Sequence, residues 1–443
     1  MYKYSSTYTN QLEFFEASLP FGGKLNPNNR WLKMAAQVDW EKFEKIYAKT
    51  FATMGRPGKD ARLVIGALIV KHKLDISDEE MTQQITENPY LQFFVGVPTY
   101  HHEPPFDSST LTHVRKRLGE REFDKFEQAL IDDLIANKLL KPKGLLIDAT
   151  VCESDISYPT DCGLLNKARQ YCIDQIKPLS KIVGIKVRTY CRVARKEYLN
   201  FTKRHQKTQQ QIRNMQKSLL QYLRRHIRQM NELVEQALEK GHVVSSKVLK
   251  NLEIITKIYE QQHYMYQNKV KTIDSRIVSF HKPYVRPIVR NKSAKRVEFG
   301  PKVCLSHVDG YVFVDHYSTE NYNESTTLEQ AIENYKDKFG KYPDYISMDQ
   351  IYGTRQNRDY LKEKGIPSSV TPLGRKKKRD IHDKEYRWRM TKQKERNRIE
   401  GAIGHVKTKY SVAEVRAKLP ETEYSWLRLA LLSHNMVSAA KRI

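Results

Sequence analysis

One apolar octapeptide constrains this chain more than any other stretch. Residues 144–151 run Gly-Leu-Leu-Ile-Asp-Ala-Thr-Val, bounded by a glycine and by a Ser/Pro/Asp cluster, and read as a buried strand with an acid inside it. A strand needs partners, and the next strand-like runs come only at Val303 to His307 and Tyr311 to Tyr317, joined by the hairpin signal Val308-Asp309-Gly310. Whatever lies between must therefore be an insertion into a sheet that is completed later in the chain.

The intervening tract is helical in pattern. Ile212, Met215, Leu219, Tyr222, Leu223, Ile227, Met230, Val234 and Ala237 follow a three-to-four repeat. Gly241 supplies a C-cap and Ser245 or Ser246 an N-cap. Val248, Leu252, Ile255, Tyr259 and Tyr266 then resume the repeat, predicting two long antiparallel helices. Downstream of the hairpin, the order is a helix around Thr327 to Phe339, a strand from Tyr345 ending at Asp349, and a helix around Arg355 to Lys364. A short strand near Ser368 to Thr371 and one long helix from about Arg387 to Tyr410 follow. Residues 1–140 read mostly helical: Arg62 to His72 has a buried-helix pattern, Ser77 caps the next helix, and Asp107-Ser108-Ser109 opens another. The fold class is a mixed α/β layer with one large all-helical insertion, preceded by a helical N-terminal domain.

Charge divides the chain in the same way. The formal net charge is +26, with 77 basic and 51 acidic side chains, and it is not spread evenly. Residues 1–163 sum to −3, residues 164–300 to +21, residues 301–370 to −3 and residues 371–443 to +11. Clustered cations on an otherwise balanced protein imply a polyanion partner, nucleic acid above all, because released counterions drive such binding. Two smaller groups are candidate backbone contacts: Arg115, Lys116 and Arg117 on one helix, and the loop Lys376, Lys377, Lys378, Arg379. Trp388, beside that loop, could stack on an unpaired base or, as the plainer reading, fill a core. A solvated helical face is the plainer alternative for the first trio. The sequence contains no apolar run of membrane-spanning length and no signal-peptide pattern. Its five cysteines are an odd number with no CxxC pair, which argues against a disulfide framework or a zinc finger and fits a reducing, cytoplasmic setting.

Three carboxylates fall where a metal site requires them. Asp148 sits in the apolar strand, where a charge is costly unless paired or metal-bound. Asp349 ends a strand, where open α/β sheets place their sites. Glu400 lies on the last long helix with Arg396 four residues before it and Lys407 seven after, offsets that keep all three on one face. An ordinary Arg396–Glu400 salt bridge, worth only about 0.3–0.5 kcal/mol, explains that spacing equally well if taken alone. Oxygen ligands of this kind suit a pair of divalent cations acting on a phosphodiester.

These motifs resemble the DDE transposases of bacterial insertion sequences, in the broad group related to IS5, IS4 and IS1182. The likeness rests on Leu146-Ile147-Asp148-Ala149-Thr150 with Tyr158-Pro159-Thr160-Asp161, and on Met348-Asp349-Gln350-Ile351-Tyr352-Gly353 with Arg355, Asn357 and Arg358. It extends to the spacing of Arg396, Glu400 and Lys407 and to Phe106-Asp107-Ser108-Ser109-Thr110-Leu111 near the N-terminus. The resemblance implies an RNase H-like core with Asp148, Asp349 and Glu400 as catalytic, metal-binding triad. It also implies Arg396 and Lys407 as contacts to the transposon end. Two Mg²⁺ ions, replaceable by Mn²⁺, would serve each site, and a homodimer would hold two ends of double-stranded DNA. Gln393 stands at the tyrosine position of the C-terminal signature, and Gln350 where relatives often have lysine. Glu395 is a poor substitute for Glu400, because the residue seven further on is Ala402.

The expected organisation is a helical domain over residues 1–140 for end binding or dimerisation and a first part of the core over 141–163. A basic α-hairpin insertion follows over 164–300, and the rest of the core over 301–443. The expected activity is cleavage at the element's ends and joining of the freed 3′-OH to target DNA, in a cytoplasmic, nucleoid-associated protein. A non-catalytic DNA-binding relic, a nuclease that does not join, and an RNA-binding module are the rival readings.

Overall fold

The computed structural model describes residues 1–4, 11–55, 57–289, 297–374 and 383–443. In chain order, α1 (Gln11–Ala17), α2 (Arg30–Ala35), α3 (Trp40–Ala48), α4 (Ala61–Leu74), α5 (Asp78–Glu87), α6 (Pro89–Phe94), α7 (Thr110–Arg117) and α8 (Glu120–Ala136) precede β1 (Gly144–Val151) and β2 (Glu153–Ser154). Helices α9 (Asp161–Val183), α10 (Cys191–Thr202), α11 (Gln209–Glu239) and α12 (Ser246–Asn268) come next, then β3 (Pro287–Val289) and β4 (Val297–Phe299). The chain closes with β5 (Lys302–Val308), β6 (Tyr311–Ser318), α13 (Leu328–Phe339), β7 (Tyr345–Ser347), α14 (Arg355–Glu363), α15 (Lys384–Glu395), α16 (Asn397–Lys409), β8 (Glu414–Val415) and α17 (Pro420–Ala440). Two compact units result: Met1–Ser154 with Pro301–Ile443, and Asp155–Gly300. No described helix is long and apolar enough to cross a membrane.

In the first unit a mixed sheet of order β6-β5-β1-β7 carries the site. β5 and β6 form an antiparallel hairpin whose turn residues Asp309 and Gly310 take φ of 48° and 91°, the left-handed pair a two-residue hairpin turn requires. β1 runs antiparallel to β5, with Leu146 opposite His307 and Asp148 opposite Leu305, and parallel to β7, with Gly144 opposite Tyr345. Every residue of β1 is buried except Asp148, which is half-buried. The expected strand near Ser368 is reduced to one bridge, Ile346 to Ser368, because prolines at 367 and 372 flank it and supply no N–H.

Helix α4, apolar all round, packs against α17, whose side chains are nearly all buried. Ser77 caps α5 as its position predicts, its Oγ accepting from the Glu80 N–H at 3.1 Å. Against the sheet lies α16, pinned by buried Ile399, Ile403 and Val406. Three such side chains at roughly 2 kcal/mol each outweigh any surface ion pair in fixing how that helix is rotated. The single long helix expected from Arg387 to Tyr410 is divided at Arg396. There the Ile399 N–H bonds back to the Arg396 carbonyl at 3.0 Å, tightening the turn between α15 and α16.

The second unit has its own core. The predicted antiparallel pair is present as α11 and α12, and α9 packs on both. Thr208 and Gln211 form a capping box at the start of α11. Gly241 follows its end at φ 77°, with its N–H on the Leu238 carbonyl at 2.9 Å. Asp161, from the Tyr-Pro-Thr-Asp motif, ties the unit together: it accepts from Gln262 at 3.0 Å, Gln216 at 3.2 Å and Arg276 at 2.6 Å. Thr160 beside it caps α9 through the Gly163 N–H.

Candidate active site

The loop that follows β7 delivers Asp349. Its carboxylate accepts from the Gln350 N–H and so caps the short 3-10 turn Gln350–Tyr352. Gln350 in turn donates to Thr371 Oγ1 at 2.7 Å. The signature residues that follow hold this loop in place rather than reaching outward. Asn357 donates to the carbonyls of Ser325 and Tyr352, each at 2.8 Å, and Arg358 to those of Gly353 at 2.9 Å and Thr371 at 2.6 Å. Gly353 is required sterically, since a Cβ there would stand 2.5 Å from Val370 Cγ1 and 2.8 Å from the Arg358 guanidinium.

The guanidinium of Arg396 joins two of the three acids. It lies 2.7 Å from Glu400 Oε1 and 3.8 Å from Asp349 Oδ2, and its own side chain is mostly buried while theirs are half exposed. The i, i+4 salt bridge that the spacing allowed is thus present, and a contact to the strand-end aspartate is added to it. Asp148 makes no ion pair among the described residues; its Oδ1 accepts only from the Ala149 N–H at 2.9 Å. Burial pushes its carboxyl up to about 6, and the carboxylates of Glu324 and Glu400 add to this while the Ala149 N–H and Arg396 oppose it. Acids from three separate elements therefore share one electrostatic neighbourhood. Among the described residues, however, no group of three or more His, Cys, Asp or Glu side chains is gathered closely enough to hold a metal.

The structure adds residues that sequence pattern alone does not reveal. Glu324, on the loop after β6, acts on Asp148 and is held by Lys302 at 3.0 Å. Lys302 opens β5, so the pair depends on a contact between segments with no shared motif. Glu395 is engaged elsewhere, accepting from the Tyr345 hydroxyl at 2.8 Å and from Lys392 at 3.1 Å. Trp388 is half-buried and meets the Tyr345 ring edge-on at 6.3 Å. Gln393 buries its Oε1 without a partner among the described residues.

Of the other candidate cations, Arg115 is committed inside the fold. It binds Asp78 through two nitrogens at 2.8 and 2.5 Å, and Lys71 binds the same carboxylate at 2.7 Å. Arg117 lies over the Phe51 ring at 3.9 Å, and Lys116 is exposed. Lys407 is on α16, two turns beyond Glu400. Lys376, Lys377, Lys378 and Arg379 lie outside the described residues.

The donor set fits a hard divalent cation: carboxylate oxygens only, with no sulfur or imidazole among them. Residues 20–117 match the family described as "Transposase domain (DUF772)", and residues 346–436 the family described as "Transposase DDE domain". Asp349 and Glu400 fall inside the second match and Asp148 outside both. Over 176 residues the chain is 33% identical to the Rhizobium meliloti protein named "Uncharacterized protein ORF8 in nfe locus", covering 39% of this chain and 83% of that one. No solved structure matches. A DDE domain implies an RNase H-like core and a divalent metal, usually Mg²⁺, and enzymes of this kind act on DNA. Its two transposase matches show that the chain belongs to the DDE transposases of insertion sequences.

Proposed function

We propose that this transposase binds the ends of its insertion sequence, cuts there, and joins the freed 3′-OH ends to target DNA through Asp148, Asp349 and Glu400. The observation that carries the proposal is Arg396, whose guanidinium contacts both Asp349 and Glu400 beside a half-buried Asp148 held near 6. Asp148, Asp349 and Glu400 would hold two Mg²⁺ ions, with Mn²⁺ an effective substitute. The bound cations supply Lewis acidity at the scissile phosphate and offset its charge. Arg396, already at the acids, is placed to grip a phosphate oxygen as the strand enters, and Lys407 extends the same helix face. Cleavage breaks a P–O3′ bond as a water oxygen bonds phosphorus; joining repeats the displacement with the 3′-OH as nucleophile, and no bond to the protein forms.

The Asp155–Gly300 unit would hold DNA along its cations. Arg192, Arg195, Lys196, Lys203, Arg204, Arg224 and Arg228 are all exposed, and Arg188 and Arg225 both stack on Tyr190, at 4.6 and 4.8 Å. Lys116 and the basic run 376–379 would add backbone contacts, and two copies would hold two ends in a bacterial, nucleoid-associated complex. The test is cleavage and joining of DNA carrying both flanking ends, in Mg²⁺ or Mn²⁺, by wild type and Glu400→Gln. Wild type is expected to do both, and the variant to bind DNA and do neither. Binding by both proteins with no cutting in either metal would replace this reading with a DNA-binding relic.

A further inference from the structure

A cavity of about 610 Å³ opens around the N-terminal end of β1, and its lining includes Lys141, Lys143, Leu146, His307, Arg398 and Arg442. Leu146 precedes Asp148 by two residues, so both side chains leave the same face about 7 Å apart along the strand. His307, directly opposite Leu146, projects to that face as well. On α16 the buried Ile399 separates Arg398 from Glu400, each about 100° away around the helix. One helix thus turns Glu400 toward Asp349 and Arg398 toward this cavity.

Two observations mark the cavity as an anion site. First, its charge is unbalanced. The only acid in the lining among the described residues, Asp309, is already satisfied by Arg442 at 3.1 Å and by the Lys141 N–H at 2.9 Å. Lys141, Lys143 and Arg398 are exposed and make no side-chain ion pair among the described residues. Second, His307 is 8% exposed and its Nδ1 has no hydrogen-bond partner among the described residues. A buried, unpartnered imidazole nitrogen beside three cations that make no ion pair is the setting an anion would complete.

We infer that this cavity seats a backbone phosphodiester of the DNA strand that passes the three acids, setting where along the strand the cut falls. The inference rests on the transposase reading for the identity of the anion, and on Lys141, Lys143, Arg398 and His307 for its place. A phosphate fixed at the start of β1, the strand that carries Asp148, would align the scissile group by distance along the DNA strand, without reading any base.

The test is a methylphosphonate scan on the full-length protein, replacing one phosphodiester at a time near the cut with a neutral group. Binding is compared between wild type and the variant Lys141→Gln/Lys143→Gln/Arg398→Gln, whose wild-type-like circular dichroism and melting are checked first. At one position the neutral substitution is expected to weaken wild-type binding and to leave the variant unaffected. The variant's slope of log K against log salt should be shallower by about 0.9, as one lost phosphate contact requires. Equal penalties in both proteins at every position would overturn the assignment. So would inorganic phosphate that binds wild type with no methylphosphonate effect, which would give the cavity to free phosphate. Because the scan reads binding alone, loss of cleavage does not affect it. A variant that cuts normally with an unchanged scan removes the cavity's role while the acid site stands.

Discussion

Asp148→Asn should stabilise the metal-free protein at neutral pH, and the effect should vanish in acid. The carboxyl is raised from 3.8 to about 6 in the folded chain, chiefly by burial. At 1.36 kcal/mol for each pH unit, keeping it charged above pH 6 costs the fold about 3 kcal/mol. The sign follows from proton binding. The native state holds the proton more tightly than the unfolded chain, so stability is highest below pH 3.8 for this group, falls as pH rises to about 6, and is level above that. The neutral amide of asparagine is nearly the same shape and carries no such penalty. Urea unfolding in EDTA at pH 7.5 should therefore show the variant more stable by about 2–3 kcal/mol, with the gap closing toward pH 4. Adding Mg²⁺ should raise wild-type stability and leave Asp148→Asn unchanged. A variant less stable than wild type at pH 7.5, or a gap independent of pH, would refute the argument.

Three further outcomes follow from contacts already described. Asp78→Asn would leave Arg115 and Lys71 without their shared carboxylate in a mostly buried setting, and should destabilise the first unit by about 3–5 kcal/mol in urea. Burial opposes the Asp78 charge, but hydrogen bonds from Arg115 and Lys71 win and hold its carboxyl below 3.8, so its stabilisation is present above that pH and is lost in stronger acid. Gly353→Ala forces a shift beside Asp349; cleavage should drop at least tenfold, for a stability loss of about 1–3 kcal/mol, measured by cutting assay and melting in parallel. Arg396→Gln removes a cation that competes for Asp349 and Glu400, so Mn²⁺ titrated by electron paramagnetic resonance should bind roughly fivefold tighter, at about 1 kcal/mol, while end-DNA binding weakens.

Local signals were legible in the sequence wherever one segment determines the outcome. The β5–β6 turn at Asp309-Gly310, the cap at Ser77, the paired helices α11 and α12, and the common face of Arg396 and Glu400 each depend on residues within a few positions of one another. What stayed hidden depends on partners far along the chain. Arg115 resembled a surface cation because Asp78, which neutralises it, lies on another helix. Glu324 carried no pattern, since its role comes from β1 and from Lys302. The Ser368 segment has strand-like composition, and only the flanking prolines limit it to one bridge. Arg398 shows the same limit, because a helical wheel places it opposite Glu400 and does not show the cavity it faces.

The order of the sheet also sets a schedule. β1 lies between β5 and β7, and both of those partners are encoded only after the whole Asp155–Gly300 unit. On a ribosome adding roughly 5–20 residues each second, Gly144–Val151 leaves the exit tunnel and waits about 8–30 s before β5 follows. During that interval an apolar strand with two open edges is exposed to any chain that can pair with it, the condition under which nascent proteins aggregate or recruit chaperones. The acids meet a similar delay, since Asp349 and Glu400 follow Asp148 only after the whole Asp155–Gly300 unit. A half-made copy thus carries Asp148 and the basic Asp155–Gly300 unit before Asp349 and Glu400 exist.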